Sequence, residues 1–147
     1  MKNENQNIEY KETWRDEYLK WICGFANAQG GKIYVGVDDD KNVVGVVDAH
    51  RLMEDIPNKI VNHLGIVADV NLLNDKGREY IEIVVPAYST SISYKGVYHY
   101  RSGSTKQVLT GPALESFLNG KRGVTWDNMP IPAFTMADVE DSVVNKF

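Results

Sequence analysis

The feature that most restricts the fold of this chain is the pair Gly30-Gly31. On its N-terminal side Trp14, Tyr18, Trp21, Ile22 and Phe25 recur at helical spacing. On its C-terminal side Lys32-Ile33-Tyr34-Val35-Gly36-Val37 alternates at the period of a strand. The spacing predicts a helix over 13–28 that ends at the glycines, where helical geometry is easily broken. Thr13 is its candidate N-cap, and Asp16, three residues on, resembles a capping box. Asp38-Asp39-Asp40-Lys41-Asn42 reads as a turn and Val43-Val44-Gly45-Val46-Val47 as a second strand, so a β-hairpin is expected over 31–47.

Leu52, Ile56, Ile60 and Leu64 repeat every four residues, one apolar stripe of a second helix that Pro57 weakens. Residues 67–73 and 79–85 read as strands around the turn Asn74-Asp75-Lys76-Gly77. A short strand is expected over 96–101 and a short helix over 110–119. Residues 1–13 are polar and read as no element. The order α-β-β-α-β-β-β-α predicts an α+β fold. It is one domain, with β-hairpins in a mixed or antiparallel sheet packed against two or three helices. At 147 residues and 43% hydrophobic composition the chain can build its own core. The domain is expected to span 1–119, with 120–147 an extension or linker towards a domain absent from this chain.

Several function classes are set aside by residue type. The single Cys23 cannot form an internal disulfide or a CxxC centre, and His50, His63 and His99 lack metal-ligand spacing. No apolar run reaches the roughly 18 residues of a membrane helix, so no membrane partner and a cytoplasmic location are expected. GxxxxGK[ST] and GxGxxG are both absent, so no ATP hydrolysis is predicted. The net charge of -4 suits no general polyanion binder; phosphate affinity would require a local basic patch.

Three groups of residues could carry chemistry. Glu4, Glu9 and Glu12 precede the first helix, and Asp38, Asp39 and Asp40 cap the hairpin. Carboxylates of this kind hold hard divalent ions, although carboxylates before a helix and in a turn are also ordinary surface features. Asn27, Gly30 and Gly31 could bring backbone close to phosphate, or simply make a tight helix-to-strand connection. Tyr98-His99-Tyr100-Arg101-Ser102-Gly103-Ser104-Thr105-Lys106 combines stacking rings, cations and hydroxyls, the groups that hold bases and phosphates. It also reads as an exposed strand end. Trp14, Trp21 and Phe25 read as core.

In order, these motifs resemble a known family. Glu9-Tyr10-Lys11-Glu12 is similar to its E-F-K-E/S opening, and residues 25–39, from Phe25-Ala26-Asn27 through Gly30-Gly31 to Val37-Asp38-Asp39, to its A-F-A-N-T-x-G-G…G-V-D-D centre. Tyr98-His99-Tyr100-Arg101-Ser102-Gly103-Ser104 is similar to its Y-x-R-x-G-S signature. The family is the Schlafen AlbA-like domain, once called divergent AAA. Bacterial members occur in DNA-binding transcriptional regulators and RecG-related helicase-type proteins.

The resemblance implies an α+β nucleic-acid-binding domain, with DNA or RNA as partner. It implies phosphate or base contacts from Lys11, Asn27, Gly30, Gly31, Tyr98, Arg101, Ser104, Thr105 and Lys106. From the Schlafen nuclease it also implies an alternative, a Mg2+- or Mn2+-dependent endoribonuclease with catalytic Glu4, Glu9 and Asp39 and metal ligands Glu9, Asp38 and Asp39. One copy supplies one lobe, so a comparable groove would require a homodimer. A third reading is a protein-interaction or dimerisation domain.

Overall fold

Residues 8–11 form the edge of the main sheet, although they lie in the stretch read as polar. The computed structural model describes residues 7–103 and 105–125, with side chains to Lys121. Strand β1 (Ile8–Lys11) is followed by a 3-10 turn at Asp16–Tyr18 and helix α1 (Leu19–Asn27). Strand β2 (Gly31–Val35), helix α2 (Ala49–Leu64), and strands β3 (Asp69–Asp75) and β4 (Arg78–Val85) follow. Strands β5 (Tyr98–Ser102) and β6 (Thr105–Leu109) and helix α3 (Gly111–Thr125) complete the order. With three helices and six strands among the described residues, the fold is α+β.

The main sheet has the order β1-β2-β4-β3, and β5-β6 form a separate antiparallel pair. β1 runs parallel to β2, with Glu9 opposite Ile33 and Lys11 opposite Val35. β2 runs antiparallel to β4. Both edges of β2 are therefore taken, and the hairpin expected over 31–47 does not form. Residues 43–47 meet the segment just after β2, through the bridge Val37–Val43 and the Val44 and Gly45 N–H groups donating to Gly36 O. Gly36 and Gly45, at φ +98° and +86°, turn the chain away, and the Val46 N–H donates to Glu79 O instead. A Cβ on Gly36 would stand 2.9 Å from the Val46 side chain.

The predicted first helix is shorter than its periodicity. Arg15, not Thr13, precedes the 3-10 turn, and Trp14 Nε1 donates to Asp16 at 2.9 Å. The buried face of α1 carries Leu19, Ile22, Cys23, Phe25 and Ala26. It packs with Leu52, Ile56, Ile60 and Leu64 of α2 over Ile33, Val35, Ile81, Ile83 and Val85 of the sheet. Burial of that α2 stripe outweighs the backbone bond lost at Pro57, so α2 is continuous. On the opposite sheet face Ile8, Tyr10, Val37 and Val43 form a smaller cluster. There the Tyr10 and Tyr34 rings stack at 5.7 Å.

The described chain divides into two units, one of residues 7–88 and 92–109, the other of 89–91 and 110–125. In the second, α3 runs unbroken through Asn119 and Gly120 to Thr125. The extension beyond 125 lies outside the described residues.

Candidate nucleic-acid interface

Strand alternation sets the site. Ile8 and Tyr10 enter the small cluster, so Glu9 and Lys11 project to the other face, towards α1 and β5. There Arg101 Nη1 donates to Glu9 Oε1 at 2.7 Å and Nη2 to Ile8 O at 3.2 Å. Nε donates to Gly103 O at 3.4 Å. The Arg101 side chain is 1% exposed and that of Glu9 9%. A charge buried this deeply is tolerable only when paired. The guanidinium also lies 5.0 Å from the Trp21 ring centre and 4.8 Å from that of Phe25. Lys11 Nζ completes the group, 3.1 Å from Glu9 Oε2.

Trp21 collects the cations. Lys11 Nζ stands 4.8 Å from its ring centre and Lys106 Nζ 5.9 Å, with Lys11 also 4.9 Å from Tyr18. Arg101 and Lys106 are directly opposite on β5 and β6, so their side chains share a face. Lys106 Nζ lies 3.5 Å from Nδ1 of buried His99. Burial, then the charges of Lys106 and Lys20, push the His99 pKa down to about 4, so its ring is neutral at pH 7. Burial, then Lys20, also hold the Lys106 amine below its ordinary range. Lys11 and Lys106 thus form a half-buried cationic surface at one indole, with half-buried Lys20 close enough to Lys106 for their charges to repel, backed by the internal Glu9–Arg101 pair.

The helix-to-strand turn faces inward. Asn27 is 2% exposed. Its Nδ2 donates to Ile92 O at 2.8 Å and His99 O at 2.7 Å, and its Oδ1 accepts the Ile92 N–H at 2.8 Å. The Cys23 thiol donates to the same Ile92 carbonyl, and burial pushes its pKa up. At Gly31 a Cβ would meet the Phe25 ring at 2.4 Å and Asn7 O at 2.6 Å. At Gly30, φ +76°, it would meet Val85 O at 2.7 Å. These glycines admit the protein's own backbone and rings.

Tyr98 and Tyr100 alternate with His99 and Arg101 and are half-buried. Tyr100 lines a pocket of about 140 Å³ with Ala28, Gln29, Arg101, Ser102 and Gly103. The Thr105 hydroxyl donates to Ser102 O at 2.9 Å and closes the β5-β6 turn. Glu4 and Ser104 lie outside the described residues.

The carboxylates do not converge. Asp38 Oδ1 accepts the N–H groups of Asp40 and Asn42 at 3.0 and 2.8 Å, which fixes the turn containing Asp39. Asp38 lies beyond the end of β2 and past the turn at Gly36, whereas Glu9 pairs with Ile33 inside the strand. Both Glu9 oxygens already bind cations. Among the described residues no three His, Cys, Asp or Glu side chains could share a metal ion. Glu9 with Asp38 and Asp39 therefore does not fit a divalent-ion site in this arrangement.

A family model described as Schlafen, AlbA_2 matches residues 4–110. The chain belongs to that family. No curated protein matches it. The AlbA_2 chain is similar in fold to the DIP2311 protein from Corynebacterium diphtheriae, at TM-score 0.65 and 17% identity over 82% of this chain. It spans 24% of that protein's length. It is also similar to the N-terminal domain of a RecG-related protein from Nitrosomonas europaea, at TM-score 0.48 and 20% identity, covering 71% of this chain and 82% of that one.

The three stretches that carry the family pattern meet in space in the AlbA_2 domain. Glu9 holds Arg101, Asn27 holds the His99 carbonyl, and Gly24 lets α1 approach β5, where a Cβ would stand 3.3 Å from Arg101 N. Sequence reasoning placed Trp21 in the core and did not single out Lys20. The signal was a tryptophan beside a lysine on a helix otherwise buried. Among the described residues no helix is long and apolar enough to cross a membrane.

Proposed function

We propose that this AlbA_2 domain binds nucleic acid phosphates through Lys11, Lys20 and Lys106 around Trp21, as the DNA-binding module of a bacterial transcriptional regulator or RecG-related protein. The observation that carries the reading is the gathering of Lys11 and Lys106 on one indole, with Lys20 beside Lys106, in a chain of net charge -4. Acidic surface elsewhere would confine a polyanion to this patch. The family membership supports the same reading. Arg101 acts here as a positioning residue, because its guanidinium is internal and orients Glu9, which in turn holds Lys11.

The test is fluorescence anisotropy with labelled duplex DNA and single-stranded RNA across a salt series. Three phosphate contacts give a slope of log K against log salt of about -2 to -3. Lys20→Gln with Lys106→Gln should weaken binding and remove about two units of that slope on duplex DNA. Unchanged affinity and slope in the double variant, with its fold intact by circular dichroism, would overturn the reading.

A further inference from the structure

We propose that Lys106 is an acyl-acceptor amine: small acyl phosphates modify it, and the modification lowers the affinity of the surface for nucleic acid. The second half rests on the function proposed above; the first does not. Lys11, Lys32 and Lys59 each have a carboxylate as partner, at 3.1, 3.7 and 2.7 Å. Among the described residues no carboxylate lies within that reach of Lys106. Its polar neighbour is the neutral imidazole of His99, Nδ1 at 3.5 Å, and its charged neighbour is Lys20, which repels it. Burial is the larger cause that disfavours the ammonium form.

An amine desolvated beside a second cation is the arrangement that makes lysine nucleophilic at neutral pH. The remaining cations, Lys11 and Lys20, suit an anionic donor, which favours an acyl phosphate over a neutral one. In the step, the Lys106 nitrogen lone pair attacks the acyl carbon. The carbon–oxygen bond to phosphorus breaks, and its electron pair leaves on inorganic phosphate. The proton displaced from nitrogen passes to His99 Nδ1, in the tautomer with hydrogen on Nε2, and on to water. The product amide is neutral, so the patch loses one cation and its neighbours lose one source of repulsion.

The experiment treats the full chain with acetyl phosphate and follows each lysine by peptide mass spectrometry. With no carboxylate beside it and the neutral His99 imidazole at 3.5 Å to take its proton, Lys106 should acetylate several-fold faster than Lys76 or Lys95. Lys20→Ala should slow it, by removing the repulsion. A Lys106 rate no greater than that of Lys76 and Lys95 would overturn the acceptor assignment whether or not the protein binds nucleic acid. For the regulatory half, treated wild type should bind duplex DNA several-fold more weakly than untreated. Lys106→Arg should bind equally well before and after treatment. An equal loss in wild type and Lys106→Arg would place the effect at other lysines and overturn the regulatory half.

Discussion

Glu9→Gln removes the charge that Arg101 is buried against. The arginine retains Ile8 O at 3.2 Å and Gly103 O at 3.4 Å, and the new amide oxygen can still accept from Nη1. Its positive charge, however, stays 1% exposed between the Trp21 and Phe25 rings with no anion beside it. Breaking a buried pair by removing one partner costs about 3–5 kcal/mol, and the retained hydrogen bond reduces this to about 2–4 kcal/mol. The converse change is milder. In Arg101→Met the carboxylate keeps Lys11 at 3.1 Å, which is 20% exposed, so about 1–3 kcal/mol is expected. Replacing both by methionine leaves no buried charge and should fall within about 1 kcal/mol of wild type. Urea unfolding followed by tryptophan fluorescence measures this directly. With m near 1–3 kcal/mol/M, the Glu9→Gln midpoint should drop by about 0.7–4 M at unchanged m. A Glu9→Gln cost below about 1 kcal/mol, or a double variant as unstable as the sum of the singles, would refute the role given to this pair.

Asn27→Ala leaves Ile92 N–H, Ile92 O and His99 O without their amide partner and should cost about 2–4 kcal/mol, read as a lowered urea midpoint. Gly31→Ala places a methyl against the Phe25 ring and Asn7 O and should cost about 1–3 kcal/mol or more, whereas Gly77→Asn, at an open turn position of φ +85°, should cost under about 1 kcal/mol. Thermal unfolding of the two would separate them. His99 titrates near 4 in the folded chain and near 6.5 unfolded, so below pH 6.5 the unfolded chain takes up a proton that the native chain refuses. Stability should therefore fall as pH drops from 6.5 to about 4, by at most about 3 kcal/mol from this group, and the fall should shrink in His99→Gln when midpoints at pH 7.5 and 4.5 are compared.

Much of the fold is legible in local patterns. The stripe Leu52-Ile56-Ile60-Leu64 is α2, the alternation through Ile81, Ile83 and Val85 is β4, and the turn chemistry of Asn74 to Gly77 joins β3 to it. Two strands were not read. Ile8-Glu9-Tyr10-Lys11 does alternate, but over four residues beside a polar run, too short a period to distinguish from chance. Thr105-Lys106-Gln107 is polar because β6 is an edge strand, paired on one side only, and needs backbone bonds more than apolar side chains.

Residue type alone determined that this chain would be an α+β domain with carboxylates, cations and rings in three separated motifs. Whether those groups faced ligand or one another was decided by the tertiary structure. A parallel β1–β2 pairing turns Glu9 to the α1 side, and Arg101 arrives there from more than ninety residues away. Once buried, each charge required the other, which commits Glu9 and Arg101 to the interior. Lys20 and Lys106, near each other's charge and with no carboxylate paired to them among the described residues, are left half-exposed. Pattern in a sequence reports local backbone preference and which side chains avoid water. Pairing of charges and amides across the fold depends on where the chain closes, and local pattern carries no record of that.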